Sequence, residues 1–589
     1  MPVTNQEVAR KLHEIYILMQ LAGENRFRAI AFDRASQTIE SLDSDINDYI
    51  EKEKLTDIKG IGDSIAQDIY SYAATGTIPV LESLHEDIPK GLIKWLEISG
   101  LGPKNIYKIH NELGISEIDD LKKACKDGSV ASLKGLGKKS AEKILKSIEW
   151  MEEHSQRCRL DQALAIARPL FDFMKDQNGV QQIEIAGSLR RSKETIGDVD
   201  ILIGAEESNA SSLMEAFVNH ELVVEVLGQG DTKSSIRTKD GRQADLRIVK
   251  PEQFPAALMY FTGSKEHNVV MRQRARVRGM SLNEYGLFKL DDEGNTDFDQ
   301  PVSYQSETDI YNHLDMKFIP PELREDRGEF EYFEEHENMP LLEDSDIQGV
   351  LHAHSTWSDG KFSIREMAEA CMERGYHYLG ISDHSQSAAY AGGLTEEEIQ
   401  QQWKEIDALN EEYAQNDSDF FIFKGIESDI LADGSLDYPD DILEGFDFVI
   451  ASVHSGLNMD QEQMMNRFKI AIHNPYTCIV GHPTGRLLLQ REGSKLDMNQ
   501  LIDWAAETGT AIEINANPRR LDLDWRHGNK ATDVNLMSAI CPDAHTTDGI
   551  DDIQYGVRIA RKAKFGPDRI LNTKSREELA EWFNQHFSQ

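Results

Sequence analysis

The chain is poor in the features that would mark a secreted, membrane-bound or disulfide-built protein. Its five cysteines (Cys125, Cys158, Cys371, Cys478 and Cys541) are spread over 589 residues with no C-x-x-C. Neither a disulfide framework nor a structural zinc knuckle is therefore indicated, and buried small apolar residues are their expected role. No stretch approaches the roughly 18 apolar residues needed to cross a bilayer, and the opening MPVTNQEVARK has no charged-then-apolar leader. A cytoplasmic protein without a membrane partner is expected. Positive charge is also short: 63 Lys and Arg stand against 103 Asp and Glu, a formal net charge of −40. That excludes a surface that holds nucleic acid by bulk electrostatics, so any such contact must be local. The charge is uneven, since residues 322–346 hold eleven acids against two arginines whereas 104–146 hold ten lysines against six acids. The length implies about three to five domains.

Three segments in the first 150 residues share one pattern: LTDIKGIGDSIAQDIYSY, LEISGLGPKNIYKIHNEL and VASLKGLGKKSAEKILKSI. Each is an apolar turn, a G-h-G (Gly60 and Gly62, Gly100 and Gly102, Gly135 and Gly137) and a helix start. In such a helix-hairpin-helix the glycines let backbone N–H groups hold a phosphate oxygen at a helix N-terminus, without regard to base. The plainer reading is a tight inter-helix turn. Lys104, Lys134, Lys138 and Lys139 tilt the second and third copies toward DNA phosphate.

A helix over 159–176 is followed by strand-like runs, IEIAGS, VDILIGA, LVVEVLG and ADLRIV, which read as a small mixed α/β unit. In GSLRRSKETIGDVDILIGA, Asp198 and Asp200 lie at i and i+2 on a strand, where a period of two puts both carboxylates on one face. Asp245, preceding another apolar strand, can approach from beside them. Three such ligands suit two hard cations about 4 Å apart, which makes phosphoryl transfer the natural reaction class. An isolated D-x-D is more often a polar strand face. Here Gly187 and Ser188 with Arg190 and Arg191 sit just upstream and supply donors for a triphosphate. Downstream, YFTGSKEHNVVMRQRARVRGMSLNEYGLF combines aromatics, a Gly-Ser turn and an arginine-rich helix.

On G-S-x-R-R, G-D-V-D, the later strand Asp and Y-F-T-G-S-x-x-x-N-x-x-x-R, residues 1 to about 318 resemble a family X DNA polymerase, the group that includes DNA polymerase beta. The resemblance implies that Asp198, Asp200 and Asp245 are catalytic and bind two Mg²⁺ or Mn²⁺. It further implies that Gly187, Ser188, Arg191, Gly197 and Gly263 serve nucleotide binding, that Tyr260 and Phe261 line the sugar pocket, and that Asn268 and Arg272 face the nascent pair and template. One departure matters: where lyase-active members carry the Schiff-base lysine, this chain has Asp68, with Ser64 one turn earlier. A carboxylate is no amine nucleophile, so deoxyribose-phosphate lyase activity is expected to be absent or carried by another lysine.

From 347 onward, seven short strands (QGVLHAH, YLGISDH, FIFKGIES, DFVIASVH, TCIVGHP, TAIEINA, SAICPDAH) are separated by long connections, which suggests βα units closing into a barrel. His352, His354, Asp359, His384, Glu427, His454, His482, Asp543 and His545 recur at predicted strand ends or just after them. In a parallel barrel those ends converge on one mouth. Mixed imidazole and carboxylate ligands favour Zn²⁺ or Mn²⁺, with enough ligands for two or three ions, and such a cluster suits phosphoester hydrolysis. The pattern resembles the polymerase and histidinol phosphatase (PHP) family, usually a distorted seven-stranded barrel. Asp383 is expected to support His384, and Arg519 or Arg520 to steer phosphate.

The expected fold is thus multidomain α/β: a helix-hairpin-helix N-terminal region (1–90), helical fingers (91–155), a nucleotidyltransferase palm (156–253), a thumb (254–318), an acidic solvated linker (319–346) and a distorted (β/α)7 barrel (347–589). The combined resemblance implies a gap-filling repair polymerase that acts on gapped or primed DNA with deoxynucleoside triphosphates, and a monomer is the default expectation. The barrel would process 3′ ends as a 3′–5′ exonuclease or phosphatase, with abasic-site cleavage a further option, in base excision repair. Two rivals differ in kind: a phosphoesterase tethered to DNA by a silent polymerase module, and a repair scaffold with structural metals.

Overall fold

The computed structural model describes residues 3, 5–40, 46–58, 60–98, 101–154, 157–335 and 340–587. They form two compact units, 1–155 and 156–589. The first is helical throughout its described residues, around a core that includes Phe32, Trp95 and Ile106. Its three G-h-G turns each lead into a helix: α1 (Asp63–Thr75), α2 (Pro103–Leu113) and α3 (Lys138–His154). Gly62 and Gly102 are the N-caps of α1 and α2, and proline opens α2, where its missing N–H costs nothing. Gly60 and Gly135 have φ of +97° and +88°, which accounts for glycine at those two positions. Gly100 lies outside the described residues.

The second unit begins with α4 (Leu160–Lys175), as its 3.6-residue apolar period predicts. Helix α4 packs on a five-stranded sheet of β1 (Gln182–Ile185), β2 (Asp198–Gly204), β3 (Val223–Gln229), β4 (Lys233–Thr238) and β5 (Gln243–Val249), in the order β1-β2-β5-β4-β3. Strands β2 and β5 are the parallel pair, in a register that sets Asp200 beside Asp245. Strand β4 has no counterpart among the apolar runs. Its inward residues, Ser234, Ile236 and Thr238, are mostly small and polar, so its sequence does not alternate in hydrophobicity.

Two departures follow. Residues 254–318, the expected thumb, in which the sequence marked an arginine-rich helix and no strand, contain α5 (Phe254–Thr262) and α6 (Lys265–Val277) and then an antiparallel sheet of β6 (Met280–Asn283), β7 (Gly286–Leu290) and β8 (Thr296–Pro301). The β6–β7 turn is local chemistry: the Asn283 side chain accepts from the N–H groups of Tyr285 (2.9 Å) and Gly286 (3.1 Å). The acidic stretch is the second departure. It is not a solvated linker over its described residues: Arg324 and Glu329 are fully buried, as are Leu342 and, nearly, Phe330. Arg324 pairs with Glu307 at 2.6 Å, and Glu329 accepts from His267 Nδ1 at 2.8 Å. Arg324, Glu329 and Glu334 are paired with groups of the preceding segment, Glu334 with Arg274, and Phe330 stacks on His267, while Asp326, Glu331, Glu335 and Asp344 stay exposed. Residues 336–339 lie outside the described residues.

Seven parallel strands follow in sequence order: β9 (Gly349–Ala353), β10 (Tyr378–Ile381), β11 (Phe421–Asp429), β12 (Phe448–Ser452), β13 (Ile479–Val480), β14 (Ala511–Asn515) and β15 (Ser538–Cys541). A parallel bridge between Ala353 and Ala544 nearly closes the barrel. Both faces of these strands are buried, so they read as continuous apolar runs rather than alternating ones. After the last strand comes α7 (Ile553–Lys562), which packs on β14 and β15 and on the Pro321–Leu323 turn.

Candidate functional site

In the palm, strand register brings Asp198, Asp200 and Asp245 together, each offering an oxygen within 4.8 Å of the others. Gly187 makes room for them. Its φ is +65°, and a Cβ there would stand 2.2 Å from Asp200 Oδ2. Burial first, then repulsion from Asp198 and Asp245, pushes the Asp200 carboxyl up to about 7 against Lys233 and Arg247. Asp245 is fixed by Lys233 Nζ at 2.6 Å and by the Gln243 amide at 2.9 Å. Three crowded carboxylates short of positive charge fit hard divalent cations.

The surrounding residues meet expectation unevenly. Ser188 is half-buried in the short helix Gly187–Arg190, and Gly197 lies beside the Arg157 guanidinium. Arg190 departs from its reading as a triphosphate donor: it is bidentate to Glu307 (3.1 and 2.7 Å) and donates to Thr262 Oγ1 at 2.8 Å. The Arg191 guanidinium donates to Glu325 at 3.0 Å and to the Thr262 carbonyl. Tyr260 and Phe261 meet edge to face with centroids 5.2 Å apart, and Arg247 covers Phe261 at 4.2 Å. Gly263 turns α5 into α6 with φ +70°, beside the Arg191 guanidinium. Asn268 does not face outward, because its amide donates to the Tyr260 carbonyl at 2.7 Å; Arg272 is exposed. In the helical unit, Lys104, Lys134, Lys138 and Lys139 are exposed beside their turns. A Cβ on Gly62, Gly102 or Gly137 would meet nothing within 4 Å, so no internal contact requires glycine there. Asp68 is half-buried, and burial raises its carboxyl against Arg28.

At the carboxyl ends of the barrel strands all nine expected residues converge. Glu427 sits at the centre, with imidazole nitrogens of His384, His454, His482 and His352 at 2.9, 3.2, 3.0 and 3.4 Å. Asp543 reaches His354 at 3.2 Å, and Asp359 reaches His545 at 3.2 Å and His384 at 3.6 Å. His352 and His354 do not share a face by regular pleating. His352 has φ +64°, the β9–β10 register shifts there, and His354 lies just past the strand. This local irregularity brings both rings to Asp543.

Burial opposes ionisation of Glu427, yet the imidazoles of His454, His352 and His384 hold its carboxyl well below the usual range. Burial likewise opposes charge on His352, but Glu513, Glu427 and Asp543 carry it well above an ordinary histidine. His454 rises to about 10 because Glu427 and Asp429 outweigh burial. His354 falls to about 3 through burial and its neighbours His545 and His384. His352 Nε2, both nitrogens of His354, His384 Nδ1 and both oxygens of Glu427 are buried without a hydrogen-bond partner. Such orphaned donor atoms, aimed at one another, are a ligand set for metal ions.

Two supporting residues emerge only here. Glu513 accepts from His352 Nδ1 at 2.5 Å and from the His482 N–H, and Asp429 pairs with His454 Nδ1 at 2.7 Å. An acid between two isoleucines in AIEIN, and a second acid two residues after Glu427, were the available signals. Asp383 does not hold the His384 ring. It accepts from Ser355, Ser358 and Gln402 and so braces the loop that carries Asp359. Arg520 stands 3.5 Å from Asp543 at the mouth, and Arg519 is exposed.

Comparison with known proteins gives matches to a helix-hairpin-helix domain over 3–78, a SAM-like helix-hairpin-helix tandem over 93–149, the DNA polymerase beta palm over 162–245, the DNA polymerase beta thumb over 257–325 and the PHP domain over 351–517. The chain is 40% identical over 576 residues, 98% of both proteins, to the DNA polymerase/3′-5′ exonuclease PolX of Bacillus subtilis (strain 168). It is 24% identical to DNA polymerase lambda of Rattus norvegicus over 48% of this chain and 49% of that one. Over 39% of this chain it is 27% identical to 93% of a protein named "Probable phosphatase" from Thermoanaerobacter sp. (strain X514). A solved ternary complex of Leishmania infantum polymerase beta aligns at 24% identity and TM-score 0.27, covering 40% of this chain and all of that one.

Proposed function

Because the chain belongs to the family X DNA polymerases that carry a C-terminal PHP domain, we propose that it is a DNA-directed DNA polymerase that fills short repair gaps and trims 3′ ends with its barrel. The carrying observation is that one polypeptide holds two complete sets of metal-type ligands of different chemistry: three carboxylates in the palm and nine imidazole and carboxylate groups in the barrel. Two Mg²⁺ or Mn²⁺ on Asp198, Asp200 and Asp245 would offset triphosphate charge, and two or three Zn²⁺ or Mn²⁺ in the barrel would polarise a phosphoester toward hydrolysis.

The rest is the work of the chain's own groups. Lys233 and Gln243 hold Asp245, and Gly187 leaves the Asp200 carboxylate its place. The Gly187–Ser188 turn offers N–H and hydroxyl donors to the triphosphate, and Arg191 joins them by exchanging Glu325 for phosphate. Open space over Gly62, Gly102 and Gly137 supports close approach of DNA backbone to these turns. In the barrel, Glu513 and Asp429 orient His352 and His454, and Arg520 lies at the mouth to receive phosphate. Asp68 supports a polymerase without deoxyribose-phosphate lyase chemistry. Base excision repair, with abasic-site cleavage in the barrel, is the setting we favour, in the cytoplasm; among the described residues no helix is long and apolar enough to cross a membrane.

The test is a labelled one-nucleotide-gap substrate with Mg²⁺ or Mn²⁺, with and without nucleotides. Asp198→Ala/Asp200→Ala is expected to lose only extension and His352→Ala/His354→Ala only 3′ degradation. Absence of extension by the wild-type protein would return the tethered phosphoesterase, and unchanged products in both variants would return the scaffold.

A further inference from the structure

Lys562, at the end of α7 in the barrel, is 3% exposed, and none of its three hydrogen bonds goes to the barrel. Its ammonium donates to the carbonyls of Arg191 and Glu322, both at 2.9 Å, and to Glu325 Oε1 at 2.7 Å. The same Glu325 oxygen accepts from Arg191 Nε at 3.0 Å. Three residues along, Glu194 accepts from two further barrel residues, Trp525 Nε1 at 2.9 Å and Arg526 at 2.7 Å. The palm segment 191–194, which continues directly from the Gly187–Arg190 turn, is therefore pinned by the barrel at both ends. Burial pulls Lys562 down to about 8, with Glu325 acting to keep it charged. Lys562 and Arg191 thus share one carboxylate oxygen.

We propose that Lys562 is a positioning residue for nucleotide binding in the palm: by holding the Arg191 carbonyl and sharing the Glu325 carboxylate, it fixes the phosphate turn and lets the Arg191 guanidinium pass from Glu325 to a triphosphate. The inference rests on the triphosphate role of Arg191 proposed above. It makes the barrel a working part of the polymerase, independent of the barrel's own metal centre. Without Lys562 the Glu325 carboxylate falls mainly to Arg191, since the other cation near it, Lys193, stands at 3.7 Å. The turn then loses its anchor while its arginine is held more tightly.

Single-turnover incorporation on gapped DNA separates the apparent nucleotide Kd from the maximal rate. Lys562→Met is expected to raise the Kd roughly 10-fold or more while leaving the maximal rate within about threefold, with 3′ degradation by the barrel unchanged. Adding Glu325→Gln to that variant removes the unshared carboxylate and is expected to recover part of the affinity. A wild-type Kd in Lys562→Met, or a double variant no better than the single one, overturns the proposal. Arg191→Gln separates the two readings. If it leaves the Kd unchanged, the triphosphate role of Arg191 falls and the inference with it; if it weakens binding while Lys562→Met does not, only the inference falls. Should Lys562→Met fail to fold, Glu325→Gln alone carries the test, with binding at least as tight as wild type expected and weaker binding overturning the proposal.

Discussion

Gly187→Ala tests the palm at its tightest point. The added methyl meets two obstacles: a backbone at φ +65°, and Asp200 Oδ2 at 2.2 Å. An L-residue in the left-handed region costs about 1–2 kcal/mol, which a unit of this size tolerates with a Tm lowered by a few degrees. The second obstacle is the informative one. The carboxylate must retreat by about 1 Å, and a misplacement of that size at a reacting centre costs on the order of 100-fold in rate. Retreat also takes Asp200 out of the cluster it forms with Asp198 and Asp245. Single-turnover extension of a primed template in Mg²⁺, run beside 3′ degradation and thermal melting, is expected to show extension down about 100-fold or more with the barrel reaction intact. Extension within about threefold of wild type would refute the argument that Gly187 exists to seat Asp200.

Three further outcomes are expected. Glu513→Gln weakens the buried partner of His352 and the His482 N–H; 3′ degradation and barrel metal affinity should fall about 10- to 100-fold while extension stays constant, and equal metal titrations for variant and wild type would count against it. Glu307, buried between Arg190 and Arg324, is held at about 2 because these guanidinium groups outweigh burial. A carboxyl lowered on folding stabilises above its unfolded value and loses that contribution as pH falls from about 4.5 to about 2, a difference of about 3 kcal/mol; urea unfolding of wild type and Glu307→Gln should converge over that window, and a constant gap would reject the assignment. Chelated protein should melt lower than protein refilled with Mn²⁺ or Zn²⁺, through binding linkage, and His352→Ala/His354→Ala should abolish most of that shift; an equal shift in the variant would place the stabilising ions elsewhere.

Local signals carried far in this chain. The G-h-G turns, the i, i+2 aspartates and the seven apolar runs are short-range patterns whose local consequences, a helix start, a shared strand face and an extended apolar segment, do not depend on distant residues. The five cysteines are all buried, as their scatter implied. Where meaning depends on a partner, the local pattern misled. The acidic stretch looked solvated because its charges are visible in sequence and the pairing of Glu329 with His267 and of Arg324 with Glu307 is not. Arg190 looked like a free phosphate donor until Glu307, 117 residues on, took both its terminal nitrogens.

The sequence by itself determined the ligand chemistry and most element types, strand β4 and the β6–β8 sheet excepted, because periodicity and residue identity act within a few positions. Only the tertiary structure decided which groups meet. Barrel closure through Ala353 and Ala544 brings His352 to Asp543, and the β2–β5 register sets Asp200 beside Asp245. The same holds for the supporting partners Glu513 and Asp429, and for Lys562 reaching from the barrel to Arg191. Burial follows from packing the whole chain, and with it go the carboxylate at about 7 in the palm and the orphaned imidazoles in the barrel, since both result from removing water around groups that sequence alone leaves solvated.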